Sequence, residues 1–404
     1  MPSQRRDFLK LAGAAAAVAA SQPRLAFAQD AGARDALIVV FLRGGMDGLN
    51  VLVPHADPDY YRIRPRIAIP RPGTGTGAAI DLDGRFGLHP ALAPLQPLYA
   101  SGKLALVQAV GLEQASRSHF ECQDRMERAS LETPSMTDGW VNRHLGVVSN
   151  GNPFQAMAVG KSVPSAFRGL QPVIGIQSIE SFATSTSSHR PDQREAALAG
   201  LYADGSPQSL NAMTTLDALG VMRDANAANT AVENGAQYPV TTFGEQMADV
   251  ARLIKADIGL EVAGVDLGGW DHHNGEAAQL QSLLDELART LAAFNTDLGA
   301  RMNSVNVLTM TEFGRRAGEN GSLGTDHGAA SAMFLLGGGV VGGRVYGDFR
   351  GLADSQLVQG DLDVTLDYRT VLAEVLSRRM GDTQVSTVFP GATIAAPIGA
   401  FRPR

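Results

Sequence analysis

The chain has 404 residues, 19% of them charged, and a formal net charge of −7 at pH 7. This acidic balance argues against binding to a nucleic-acid backbone, because such affinity comes mainly from clustered Lys and Arg. With a single cysteine, Cys122, the chain cannot form an intramolecular disulfide, so its stability must come from packing and from any bound metal. The apolar fraction of 44% is enough for a sizeable core in one large domain or two ordinary ones.

Residues 1–28 have the three parts of a twin-arginine signal peptide in order: an arginine pair at 5–6, a weakly apolar run at 11–20 and a small-residue cleavage site at 26–28. The run is shorter than the about 20 residues of a membrane-spanning helix, and no later segment is apolar for long enough, so we expect no stable membrane anchor after cleavage. The sequence therefore predicts export by the twin-arginine translocase to the periplasm or the exterior. Because the signal carries four basic and one acidic side chains, its removal changes the net charge of the protein from −7 to −10.

Strands alternate with helices in the rest of the sequence. An apolar run at 36–42 is typical of a strand buried on both faces, and the Pro- and Gly-rich stretch at 54–90 is mostly loop. The further predicted elements are helices at 91–99, 119–129, 243–256 and 276–301, strands at 104–110, 260–266, 304–310 and 331–336, and an amphipathic helix at 367–380. This order predicts a single α/β domain at 29–404, with a mainly parallel sheet sandwiched by helices.

The segment at 148–240 differs in composition, since it is rich in Ser, Thr, Ala and Asn. It has helical patches at 191–203 and 208–230 and no strong strand signal. We interpret it as a helical cap inserted over one edge of the sheet.

Polar side chains follow four of the predicted strands, at the point where each strand ends. Ligands bind beyond the carboxyl ends of the strands in open parallel sheets, so these side chains are expected to share one site. The clusters are, in chain order, Asp47; Ser116, Arg117, Ser118 and His119; Asp271, His272 and His273; and Glu312, Arg315, Arg316, Asp326 and His327. Carboxylates mixed with neutral imidazoles suit a divalent metal ion, here zinc, manganese, magnesium or calcium.

Ser118 stands where the predicted helix at 119–129 begins, and two roles fit this position. As an N-cap, its side chain would bond free backbone amides, and Glu121 would complete a capping box. As a nucleophile, it would use the same place, because a helix N-terminus favours an anion and helps a hydroxyl group to ionise beside a metal. The sequence leaves both roles open.

Two other polar features also have two interpretations. Asp47, among glycines, is either a metal ligand or a residue that forms a turn. The pair Arg315-Arg316 is either solvated or holds an anionic substrate beside the metal site.

The clusters resemble the motifs of a family of exported bacterial proteins, the domain-of-unknown-function 1501 family. The matching segments span almost the whole mature chain and are Phe41-Leu42-Arg43-Gly44-Gly45-Met46-Asp47-Gly48-Leu49-Asn50, Leu88-His89-Pro90, Ser118-His119-Phe120, Gly269-Trp270-Asp271-His272-His273, Thr311-Glu312-Phe313-Gly314-Arg315 and Gly324-Thr325-Asp326-His327-Gly328. The family is placed in the alkaline phosphatase–sulfatase superfamily, so the resemblance implies a parallel α/β sheet with a one-metal or two-metal centre. It implies Ser118 as the nucleophile and a set of metal ligands comprising Asp47, Asp271, His273, Glu312, Asp326 and His327.

The chain departs from the superfamily pattern at two places. Phe313 stands where a ligand histidine is expected, so a second metal would be weak, rearranged or absent. Type I sulfatases need Cys or Ser followed by x-Pro-x-Arg to make formylglycine, and neither Cys122 nor Ser118 has that context. A formylglycine sulfatase is therefore not expected.

The leading hypothesis is an exported, metal-dependent hydrolase of a phosphate or sulfate ester, carried by a small molecule or a polymer. Ser118 would attack, the metal would stabilise the developing charge, and Arg315 would grip the anion. Two alternatives remain open. A non-catalytic envelope or secretion-associated protein that keeps the fold is favoured by Phe313, and a phosphoryl or sulfuryl transferase acting on an envelope polymer would use the same site.

Replacing both arginines of the signal (Arg5→Lys and Arg6→Lys) should block export and leave the precursor in the cytoplasm, because the twin-arginine pathway reads that pair. Fractionation and immunoblotting measure the outcome. Arg24→Lys, in the same segment but outside the pair, is the matched control and should be exported normally. Normal periplasmic accumulation of the double variant would show that the transport route is another one.

Overall fold

The fold is seen in a computed structural model that describes residues 35–112, 116–130, 136–184, 200, 220–222 and 227–404. Its strands are β1 (Ala36–Arg43), β2 (Leu52–Val53), β3 (Ile80–Asp81), β4 (Gly87–Leu88), β5 (Leu104–Gly111), β6 (Ala156–Val159), β7 (Ile174–Ile176), β8 (Val262–Gly268), β9 (Val305–Met310), β10 (Ser331–Gly337), β11 (Val345–Tyr346) and β12 (Leu366–Asp367). Its α-helices are α1 (Gly48–Val51), α2 (Pro58–Ile63), α3 (Gln96–Ala100), α4 (His119–Arg128), α5 (Trp140–Val148), α6 (Ile179–Thr184), α7 (Thr242–Lys255), α8 (Glu276–Leu298), α9 (Tyr368–Arg379) and α10 (Val385–Val388).

The main sheet contains nine of these strands within the described ranges, in the order β11-β5-β10-β9-β1-β8-β6-β7, with β12 also paired to β5. β1 lies inside the sheet and runs parallel to both neighbours, so that Val40 is in register with Val265 of β8 and Thr309 of β9. Among the described strands of this sheet, only β10 runs antiparallel to its neighbours, β9 and β5. The remaining strands, β2, β3 and β4, form a small separate antiparallel sheet.

Successive side chains of β1 belong to two different cores, because side chains alternate between the faces of a strand. Leu37, Val39 and Phe41 pack in the core on the side of α5 and α9, whereas Ile38 and Val40 pack in the core on the side of α7 and α8. Burial on both faces explains why the strand is a continuous apolar run. The predicted mostly parallel sheet with flanking helices is therefore confirmed.

The segment at 148–240 contains two strands that the composition did not indicate. β6 pairs in parallel with β8, and β7 pairs in parallel with β6, so both extend the main sheet. The segment shows no strong strand signal in its sequence, because these strands are only four and three residues long and show little periodicity. The helical patches predicted at 191–203 and 208–230 fall almost entirely outside the described residues.

The helix predicted at 367–380 is present as α9, but it is not amphipathic. Ten of its twelve residues are buried. The chain after α9 contributes Val388, Phe389 and Phe401 to the same core. These residues cover the face of α9 that the sequence predicted to be exposed to solvent.

The carboxyl ends of β1, β8 and β9 meet at one edge of the sheet, and the antiparallel β10 begins there. Ser331, the first residue of β10, donates a hydrogen bond of 2.8 Å to the carbonyl oxygen of Met46 in the loop after β1. The four polar clusters of the sequence therefore converge. None of the helices in the described ranges is long and apolar enough to cross a membrane.

Gly314 allows the loop after β9 to pass beside the start of β10, since a Cβ at this position would lie 1.7 Å from the carbonyl oxygen of Ala330. We expect Gly314→Ala to lower the free energy of unfolding by about 3 kcal/mol, because the backbone must move to relieve the overlap. Gly318→Ala is the matched control in the same loop, where the nearest atom is 3.6 Å from the added carbon. Chemical denaturation of both variants measures the difference, and equal stabilities would contradict this account.

Candidate metal centre

Three side chains at this edge of the sheet form a group that can hold a metal ion. One ligand atom each of His119, Asp271 and His327 lies within 4.8 Å of the other two. His119 is the first residue of α4, Asp271 follows β8, and His327 lies in the loop before β10. The group therefore depends on three elements that are far apart in the sequence.

A buried carboxylate orients the ring of His119. Glu312, which is 1% exposed, accepts hydrogen bonds of 2.8 Å from His119 Nδ1, from the Gly44 N–H and from Gln123 Nε2. Burial alone would raise the pKa of Glu312, but the hydrogen bonds outweigh it and lower this pKa. The bond to Glu312 in turn raises the pKa of His119. His119 Nε2 then faces the group, 3.4 Å from Asp271 Oδ2.

The Nε2 atoms of two further histidines, His273 and His327, face each other. His327 Nδ1 lies 2.8 Å from the carbonyl oxygen of Arg117, and His273 Nδ1 lies 3.0 Å from Asp326 Oδ1. Both oxygens are acceptors, so both Nδ1 atoms donate, and in neutral rings the Nε2 atoms carry no proton. These Nε2 atoms are 3.0 Å apart. Asp271 Oδ1 lies 3.0 Å from His273 Nε2 and 3.2 Å from His327 Nε2, so one cation could be shared by the two rings and this carboxylate. Burial lowers the pKa of His327.

Arg315 holds Asp271 and the surrounding loops in position. Its guanidinium donates to Asp271 Oδ1 at 2.6 Å. It also donates to four main-chain carbonyl oxygens, those of Gly44, Gly45, Trp270 and Thr325. Burial alone would raise the pKa of Asp271, but the hydrogen bond and charge of Arg315 lower it to about 2. Arg315 is 2% exposed, and its guanidinium is engaged with acceptors inside the protein rather than open to an anionic substrate.

Asp47 lies in a second, closed cluster rather than in the group of ligands. Both of its carboxylate oxygens accept hydrogen bonds from the fully buried guanidinium of Arg64. Burial alone would raise the pKa of Asp47, but the charge of Arg64 lowers it. Burial and the neighbouring Asp47 raise the pKa of Glu276. The charge of Asp47 is thus compensated inside the protein by the guanidinium of Arg64.

Ser118 is exposed at the N-cap position of α4, immediately before His119. Its side chain makes no capping hydrogen bond, and Glu121 accepts instead from Ser116 Oγ at 2.5 Å. The capping box considered for Ser118 and Glu121 was therefore wrong, because Ser116 takes the capping contact: its Oγ also accepts from the Ser118 N–H at 3.2 Å. The hydroxyl group of Ser118 makes no hydrogen bond to any of the described residues.

Phe313 packs against the histidine rings at the position where a ligand was expected. Its ring centroid lies 4.9 Å from that of His119 and 4.7 Å from that of His327. Sequence reasoning did not select His119 as a ligand, although it stands in the Ser118-His119-Phe120 motif. Its position next to the candidate nucleophile, at the start of a helix after a strand, was the available signal.

The predicted site residues are therefore divided by the structure. Asp271, His273, Asp326 and His327 come together with His119, and Glu312 lies behind His119 as its hydrogen-bond partner. Asp47 and Arg315 are engaged inside the protein. The catalytic and ligand roles themselves stay predictions.

Comparison with known proteins identifies a family but no activity. A family model described as "Protein of unknown function (DUF1501)" matches residues 105–390. No curated protein is significantly similar to the chain. Among solved structures, PsFucS1 sulfatase from Pseudoalteromonas sp. is similar at 12% sequence identity and a TM-score of 0.38, over 100% of this chain and 78% of the other.

We expect Asp271→Asn to weaken divalent metal binding at least about tenfold, because it removes the negative ligand from the group. Asp47→Asn should leave metal content unchanged but lower the free energy of unfolding by about 3–5 kcal/mol, because Arg64 loses its buried partner. Elemental analysis and thermal shifts on adding zinc measure the first effect, and denaturation measures the second. Equal metal loss in both variants would make Asp47 a ligand, and a wild type without metal and without any thermal shift would remove the centre.

Proposed function

We propose, from the premise that this chain belongs to the DUF1501 family, that it is an exported, metal-dependent hydrolase of phosphate or sulfate esters. The observation that carries the proposal is the facing pair of Nε2 atoms of His273 and His327 beside His119 and Asp271, with the exposed Ser118 next to His119 in the sequence. The mostly parallel sheet, with its site at the carboxyl edge, supports the alkaline phosphatase–sulfatase architecture for the domain. The signal at 1–28 supports a periplasmic or extracellular location.

The donor set fits one divalent ion bound by imidazole nitrogens and a carboxylate. Such a set suits zinc better than magnesium or calcium, which prefer oxygen ligands. The contacts of His119 with Glu312 and of His327 with the Arg117 carbonyl are the kind that fix ligand rings in metal sites. When bound, the ion would act as a Lewis acid that stabilises charge on the phosphoryl or sulfuryl oxygens. Arg64 already supplies the positive charge at Asp47, so the proposal is for one ion.

The residues of the chain would divide the reaction in two steps. Ser118 Oγ would lose its proton and form a bond to phosphorus or sulfur as the bond to the ester oxygen breaks, and that proton would pass to the leaving oxygen to give the alcohol. Water would then cleave the Ser118 ester and release phosphate or sulfate. The N-terminus of α4 supports the first step, since the free N–H groups of a helix N-terminus favour an anion.

The alternative of a non-catalytic envelope or secretion-associated protein has its own support in the same site. Phe313 fills the place of an expected ligand against both rings, and Asp47 is neutralised internally. Such a protein would keep the ion and the fold without turnover. A broad panel of phosphate and sulfate esters separates the two functions, because only the enzyme would hydrolyse any of them.

Ser118→Ala should lower kcat for aryl phosphates or sulfates by about a thousandfold or more while metal content stays that of the wild type, because the nucleophile is lost. Ser116→Ala is the matched control, since Ser116 is the residue that makes the structural bonds at the start of α4. It should cost about 1 kcal/mol of stability and keep turnover within a few-fold. Unchanged turnover in Ser118→Ala would exclude Ser118 from the mechanism.

A further inference from the structure

Two arginines that the reaction does not use flank the candidate metal centre at His327. The guanidinium of Arg117 donates to the main-chain oxygen of His327. The main-chain N–H of Arg316 donates to the main-chain oxygen of Asp326, in the same loop, at 2.9 Å. Unlike Arg315, both side chains reach solvent, with 38% of Arg117 and 43% of Arg316 exposed. They are the cations beside the centre that a ligand can reach.

Both arginines converge on one carboxylate. Asp361, whose side chain is 3% exposed, accepts from Arg117 through Oδ2 and from Arg316 Nη1 through Oδ1 at 3.5 Å. The other acid nearby, Asp326, is held by His273 at 3.0 Å and by Asn320 at 3.2 Å. The two guanidinium groups thus share one buried carboxylate partner.

The hydrogen bonds of Arg316 also leave donors available. Its Nη1 donates to Gln359 O at 2.6 Å and approaches Asp361. Its Nε and Nη2 have no acceptor within the described residues. A guanidinium held at one side by fixed acceptors is oriented for an anion at the other, and an arginine fork binds carboxylate or phosphate in two contacts.

We propose that Arg117 and Arg316 form a binding subsite for a second anionic group of the substrate. The substrate class is then an ester with two anionic groups: the phosphate or sulfate that lies at the metal centre, and a carboxylate, phosphate or sulfate a few bonds away that lies at the arginine pair. This inference deepens the proposed function, because it names the substrate of the same site. The net negative charge of the whole chain does not oppose it, because screening limits exposed charges to about 10 Å at 0.1 M salt.

The test uses ligands that cannot be hydrolysed, so that binding is measured apart from turnover. Methylphosphonate carries one anionic group, whereas phosphonoacetate and 3-phosphonopropionate add a carboxylate at two different distances. Calorimetry on the metal-loaded mature protein at low ionic strength should give about fivefold tighter binding for at least one of the carboxylated ligands. Arg316→Ala should bring that ratio close to one, because the carboxylated ligands lose their partner for the added carboxylate.

Arg289→Ala is the matched control. Arg289 is 54% exposed and pairs with Asp285 on α8, about 20 Å along the helix from its first residue. Arg289→Ala should keep the wild-type ratio of the two affinities. Arg316→Lys keeps the positive charge but loses the two-pronged guanidinium, so it should keep only part of that ratio. Metal analysis and a melting curve for each variant exclude unfolding as the cause of a lost ratio.

Three results would overturn the inference: equal affinities of the wild type for carboxylated phosphonates and methylphosphonate, absence of any phosphonate binding, or the wild-type ratio of affinities in Arg316→Ala. Arg117 and Arg316 would then be only structural partners of Asp361. Hydrolysis of monoanionic esters without the binding ratio would mean that this inference fails and the proposed function stands. A clear ratio without turnover of any ester would mean the reverse: the anion subsite would belong to a binding protein.

Discussion

The arrangement of the site depends on the buried guanidinium of Arg315. A buried cation costs several kcal/mol unless hydrogen bonds and an opposite charge compensate it. Arg315 obtains both by bonding to carbonyl oxygens in the loops after β1 and β8 and before β10, and to Asp271. The loops that carry the candidate ligands are therefore tied to one another through this side chain, and Asp271 is kept ionised far below neutral pH.

The same edge of the sheet carries two groups of acids with opposite chemistry. Asp47 is buried beside Arg64 and Glu276, and its charge is compensated by the Arg64 guanidinium. Asp271 is partly exposed, and the Nε2 atoms of His119, His273 and His327 lie beside it. The Nδ1 atom of each of these rings donates a hydrogen bond elsewhere. Because an ion binds where lone pairs are exposed and uncompensated, the second group is the candidate metal centre among the described residues. Phe313 closes the remaining side with a ring that cannot ligate.

Cations lie beside the site although the chain as a whole is acidic. Arg117 and Arg316 place two partly exposed guanidinium groups beside His327. A bound divalent ion would add further positive charge. Bulk composition argues against nucleic acid as a partner, but it says nothing about a small anion, because a small anion responds to the few charges within its screening distance.

The sequence by itself determined the class of fold and the place of the site. The apolar run of β1 and the regular exchange of strands and helices predict a parallel α/β sheet, and the rule that ligands bind at carboxyl ends brings Asp271, Glu312 and His327 to one edge. Short strands such as β6 and β7 were not predicted, because they contain too few residues to show an alternating pattern of apolar and polar side chains. The direction of β10 was also beyond the sequence, because local pattern does not encode which way a strand pairs. Only the tertiary structure decided which acids are free to bind: Arg64 neutralises Asp47, and Arg315 orients Asp271, while Glu312 supports His119 from behind. The reason is that charge pairing depends on distance in space, and each of these pairs joins residues whose spacing in the sequence carries no sign of the contact.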